Sequence, residues 1–143
     1  MFNPSRDQVR HFFIDSWRKH LAREVLTPME STAANIITMH PEYQALLEDP
    51  DSIDRDFTPE DGVINPFLHL SLHLAIEEQL SIDQPPGLRA AFDAACVRHG
   101  ERHAALHDAL ECLGETLFEA QRNRREPDGV AYVACLRKRA GIG

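Results

Sequence analysis

Between Pro66 and Ile82 the chain carries Phe67, Leu68, Leu70, Leu72, Leu74, Ile76 and Leu80, with no glycine and no second proline. Apolar residues at that density cannot be confined to one stripe. The pattern therefore predicts a helix buried on nearly every side, at the centre of the fold. Its start is written in Asn65–Pro66, a side-chain cap followed by a residue whose fixed φ suits the first helical position.

The same devices mark out the rest. Asn3–Pro4 opens a helix predicted to run to about Val25, with Val9, Phe12, Phe13, Trp17 and Leu21 as its core-facing stripe. Thr27–Pro28–Met29–Glu30 reads as a capping box, in which the threonine and the glutamate each satisfy the other's backbone N–H. The helix that follows passes through Ala33, Ala34 and Ile37 to about His40. Pro41 stops it, because proline disfavours helical geometry in the residue before it. A short helix over 41–48 follows, then an acidic, irregular stretch from Asp49 to about Ile64. Asp83–Gln84–Pro85–Pro86–Gly87 ends the apolar helix. Further helices are predicted over 87–99, closed by Gly100, over 101–122, and from Pro127–Asp128–Gly129 to about Arg139. Nothing alternates with period two for long enough to be a strand. The fold class is all-α, a single-domain bundle of about five to seven helices spanning residues 1–143.

A chain of 143 residues can bury roughly 70% of its unfolded surface without a disulfide. Its formal charge of -8 argues against nucleic-acid binding, which rests on neutralising phosphates with Lys and Arg. The basic runs 122–125 and 137–139 fall near predicted helix C-termini, where positive charge is favourable. Cys96, Cys112 and Cys135 are widely spaced, odd in number and preceded by no secretory signal. This pattern predicts free thiols and a cytoplasmic setting. No stretch approaches the ~20 apolar residues of a membrane span. No membrane partner is expected.

Chemistry enters with histidine and glutamate at steps of four. His69, His73 and Glu77 share the apolar helix, and His103, His107, Glu111 and Glu115 share the helix over 101–122. Four residues turn a helix by about 400°, so successive members stand about 40° apart and ~6 Å along the axis. Imidazole and carboxylate suit iron, zinc and manganese, and bundles build metal sites from such groups on facing helices. His69, His73, His103, His107 and Glu111 are the candidate ligands, and the set predicts a site between the two helices. Glu30, His40, Glu77 and Glu115 are secondary candidates; Glu30 already serves its cap. The plainer alternative for each residue is a hydrogen-bonded core histidine or a solvated glutamate. His20 near Trp17 is assigned to packing and His11 to the surface. No nucleophile motif or phosphate-binding glycine loop is present.

The run from Asn65 to Gln79, the segment from Ser81 to Gly87, His40–Pro41–Glu42–Tyr43 and Glu111–Cys112–Leu113–Gly114–Glu115 together carry a resemblance. They are similar to a proteobacterial family of unknown function, the domain of unknown function numbered eighteen forty-one, over almost the whole chain. That resemblance implies a bacterial cytosolic protein and no particular reaction. Members of the family it resembles often read HPEYH, whereas this chain has Gln44 after Tyr43. At motif level the HxxxH and HxxxE pairs also resemble hemerythrin-like di-iron bundles, with the order of the two helices reversed.

Two functions fit the sequence. One is a metal-binding bundle with redox chemistry at non-haem iron or hydrolysis through a metal-bound water. The other is a metal-free interaction or assembly module with hydrogen-bonded core histidines. A protein partner, a small molecule or a homo-oligomer is compatible with either.

Overall fold

The computed structural model describes residues 5–57 and 65–143. They form α1 (Arg6–Leu21), α2 (Pro28–Thr38), α3 (Gln44–Leu47), α4 (Pro66–Ile82), α5 (Leu88–His99), α6 (Arg102–Arg122) and α7 (Gly129–Arg139), with 3-10 turns at Pro41–Tyr43 and Pro50–Asp54. No strand occurs among the described residues, so the all-α class holds. None of these helices is long and apolar enough to cross a membrane. Contacts cluster into two compact units, Met1–Leu74 and Ala75–Gly143, and the boundary falls within α4.

In the first unit α1 packs on α2. Phe13, Trp17, Ala33, Ile36, Ile37, Leu47, Phe67 and Leu70 form its buried core. The caps explain the helix limits. Ser5 and Gln8 close a reciprocal capping box on α1; the Asn3–Pro4 start inferred from sequence lies outside the described residues. α1 ends at Leu21 rather than near Val25, with Arg23 at φ 57. A non-glycine residue in that left-handed region cannot continue the helix. Thr27 and Glu30 cap α2 as expected, and Glu30 also accepts from Lys19 Nζ at 2.8 Å, tying α2 to α1. Those bonds, the one from Lys19 first, hold the Glu30 carboxyl below its ordinary pKa. Arg10 is buried and donates to the carbonyls of Ser52, Ile53 and Arg55 at 3.3, 2.8 and 2.7 Å. That clamp gives structure to the first part of the acidic stretch expected to be irregular; its residues 58–64 lie outside the described residues.

The second unit packs α5, α6 and α7 against one another. Buried on these helices are Leu88, Ala91, Phe92 and Ala95 of α5, Ala105, Leu106, Ala109 and Leu113 of α6, and Tyr132 and Leu136 of α7. Gly100, at φ 75, ends α5 in the left-handed conformation that glycine adopts without a Cβ penalty. Cys112 and Cys135 are joined by a disulfide, which corrects the expectation of free thiols; Cys96 is free. Spacing could not show the pair, because it depends on α6 and α7 being neighbours.

A second correction concerns α4. Phe67, Leu70, His73 and Ile76 are buried, but Leu68 is 54% and Ile82 65% exposed. An apolar residue does not require cover, since over half of a folded protein's accessible surface is apolar. The helix is therefore not buried on every side.

Candidate metal centre

His40 follows the last turn of α2 and immediately precedes Pro41. Restricted by that proline, it adopts φ -127 and ψ 68 and leaves the helix. Its backbone N–H still donates to Ile37 O at 2.9 Å. The ring turns back along the helix, placing Nδ1 2.7 Å from Ile36 O. A carbonyl oxygen only accepts, so Nδ1 carries the proton. In the neutral form of the ring, the lone pair then belongs to Nε2. Tyr43, returned by the 3-10 turn, stacks on the His40 ring with centroids 5.5 Å apart and planes 5° from parallel. Burial, and secondarily the charge of Glu42, pushes the Tyr43 phenol above its ordinary pKa. Gln44 donates to Ile37 O at 3.5 Å.

α4 supplies the other members one turn apart. His69 Nε2 lies 3.3 Å from His40 Nε2 and 3.1 Å from His73 Nε2. The three rings are steeply inclined to one another, at 65–76°. His40 and His73 are 4% and 0% exposed, and His69 is half-buried. One nitrogen from each ring lies within 4.8 Å of the other two, and this is the metal-capable group of His, Cys, Asp and Glu side chains among the described residues.

The two short contacts meet at one nitrogen, His69 Nε2. His69 Nε2 has one direction in the ring plane, occupied by either a proton or a lone pair, so only one of its two neighbours can share a straight N–H···N bond. A cation on the converging lone pairs accommodates both. With metal–nitrogen distances of about 2.0–2.1 Å and tetrahedral angles, nitrogens around a zinc-like ion stand about 3.3–3.4 Å apart. The contacts of 3.1 and 3.3 Å lie close to that spacing.

The remaining candidates are placed as follows. His103 and His107 lie on α6 in the second unit, both exposed, with ring centroids 4.5 Å apart. Glu111 is paired with Arg139, which also reaches Glu115 at 3.3 Å. Glu77 is paired with Arg102 at 2.9 Å. Glu30 is held by Thr27 and Lys19. His20 stacks on Trp17 at 5.1 Å and His11 is exposed, as the sequence suggested.

His69 and His73 thus come together, and their described neighbour is His40, the weaker candidate from sequence. The signal for His40 was local: a histidine that breaks a helix just after buried Ile36 and Ile37 is turned toward the same interior.

No curated protein and no solved structure matches the chain. The sequence model of one family matches residues 5–138, nearly the whole chain. The chain belongs to that family, described as a domain of unknown function, DUF1841.

Proposed function

We propose that this is a metal-binding protein whose first unit holds one divalent transition-metal ion through the Nε2 atoms of His40, His69 and His73. The observation supporting this most strongly is the pair of Nε2–Nε2 separations, 3.3 and 3.1 Å, meeting at His69. The Nδ1–H bond from His40 to Ile36 O supports it further, because a ligating imidazole is ordinarily oriented by such a bond from its other nitrogen.

Imidazole donors favour zinc or iron over manganese, which prefers carboxylate oxygen. Three neutral ligands leave the ion's charge uncancelled, so it would supply Lewis-acid activation of water or, as iron, one-electron chemistry. The chain's own contribution is to orient His40 through the backbone, cover it with Tyr43 and fix His69 and His73 on one helix.

The test is elemental analysis of untagged protein purified without added metal, for wild type and for His40→Gln, His69→Gln, His73→Gln and His11→Gln. Wild type and His11→Gln should retain near-stoichiometric metal, and the other three should lose most of it. His107→Gln, made in parallel, reports whether the second HxxxH pair contributes to retention. Equal metal content in wild type, His40→Gln and His73→Gln would instead favour the metal-free module with hydrogen-bonded histidines.

A further inference from the structure

The second unit carries chemistry that the histidine cluster does not use. Cys112 on α6 is bonded to Cys135 on α7 across 23 residues of sequence, with Cα atoms 5.8 Å apart. The two sulfurs differ in access. Cys112 is 0% exposed, whereas Cys135 is half-buried and lines an open cleft of about 160 Å³ with Glu115, Thr116, Glu119, Arg125 and Asp128.

We propose that Cys135 is a thiol–disulfide exchange site that takes a small-molecule thiol from this cleft. The incoming thiolate attacks Cys135 Sγ, forming a bond between its own sulfur and Cys135. The Cys112–Cys135 bond breaks, and its electron pair leaves on Cys112, which takes a proton from water. A second small thiolate attacks the external sulfur of the mixed disulfide and releases Cys135 as a thiol after protonation. In balance, two small thiols are oxidised to one disulfide, and the protein's disulfide is reduced to two thiols.

Access fixes the direction of the first step. Attack needs approach to a sulfur from the side opposite its bonded partner, and enclosed Cys112 offers solvent no such approach. Charge selects the thiol. Glu115, Glu119 and Asp128 stand against Arg125 around the cleft, and Glu115 Oε2 lies 3.7 Å from Cys135 Sγ. The net negative lining disfavours an anionic thiol such as glutathione relative to a cationic one such as cysteamine. The exchange also has a structural consequence. Beside the ion pairs of Arg139 with Glu111 and Glu115, the disulfide is a covalent tie between α7 and α6, and exchange removes it.

The test uses the full chain, with Cys96→Ser beside wild type to remove thiol shuffling; wild type alone suffices if that variant does not fold, because Cys96 is read on its own peptide. The oxidised protein is incubated under native conditions with cysteamine or glutathione, quenched with an alkylating agent and mapped by mass spectrometry. The expected result is the small-thiol adduct on Cys135 and the alkyl group on Cys112. Cysteamine should open the link several-fold faster than glutathione at low salt, with the difference shrinking as salt rises. An adduct shared equally between the two cysteines would overturn the proposal. So would an exchange that begins only in denaturant, or a chain whose Cys112 and Cys135 remain separately alkylatable after mild oxidation.

Discussion

His40 is bound to the Ile36 carbonyl through Nδ1, 2.7 Å away, which commits its proton to the backbone and aims Nε2 at His69. The geometry depends on Pro41, which makes His40 leave α2 at this position. Pro41→Ala would allow the helix to continue and the ring to swing away. Metal affinity should fall about 10–100-fold, the usual effect of losing a ligand-orienting interaction. Isothermal titration with zinc checks this, and unchanged affinity would mean that the proline does not set the ring.

Removing the metal should destabilise the fold. An ion present at 100 times its dissociation constant contributes about 2.7 kcal/mol if it binds only the folded chain. Thermal melts before and after verified chelation should therefore separate by several degrees, and His73→Gln should melt at the same temperature in both states. A chelator-induced shift of equal size in His73→Gln would place the ion elsewhere.

Glu30 gives the first unit a pH signature. Its carboxyl is held below the ordinary value of 4.5, first by Lys19 and then by the Thr27 backbone N–H, so it binds a proton less readily folded than unfolded. The stabilisation is present above that ordinary value and is lost as pH falls through the lower, folded one. Lys19 works in the opposite direction: its pKa is raised, chiefly by the hydrogen bond to Glu30, and its contribution is lost as pH rises through the raised value. Glu30→Gln keeps an acceptor for the Thr27 N–H but loses the ion pair. Its unfolding free energy should be flatter with pH on the acid side, measured by urea titration; an unchanged acid slope would show that the pair contributes nothing.

The parts of this structure that were legible in sequence are those decided within a few residues. The Thr27–Glu30 capping box, the stop at Pro41 and the left-handed Gly100 each depend on near neighbours. The His69–His73 pair was legible for the same reason, since a helix places every fourth residue on one face. His40 meets His69 across 29 residues, and Cys112 meets Cys135 across 23. Helical period says nothing about either meeting, which depends on which elements pack together. The exposure of Leu68 was hidden because an apolar pattern marks what can be buried rather than what is covered.

The most direct test of the tri-histidine site is an imidazole nitrogen correlation spectrum of the untagged, isotope-labelled chain, recorded metal-free and after one equivalent of zinc. It distinguishes protonated from lone-pair nitrogens in each ring. Without metal, His40 should show a protonated Nδ1 and a lone pair at Nε2. With zinc, the Nε2 signals of His40, His69 and His73 should move together to metal-bound positions while Nδ1 of His40 stays protonated, and His11 should not move. Zinc that binds tightly yet leaves these three Nε2 signals in place would contradict the account.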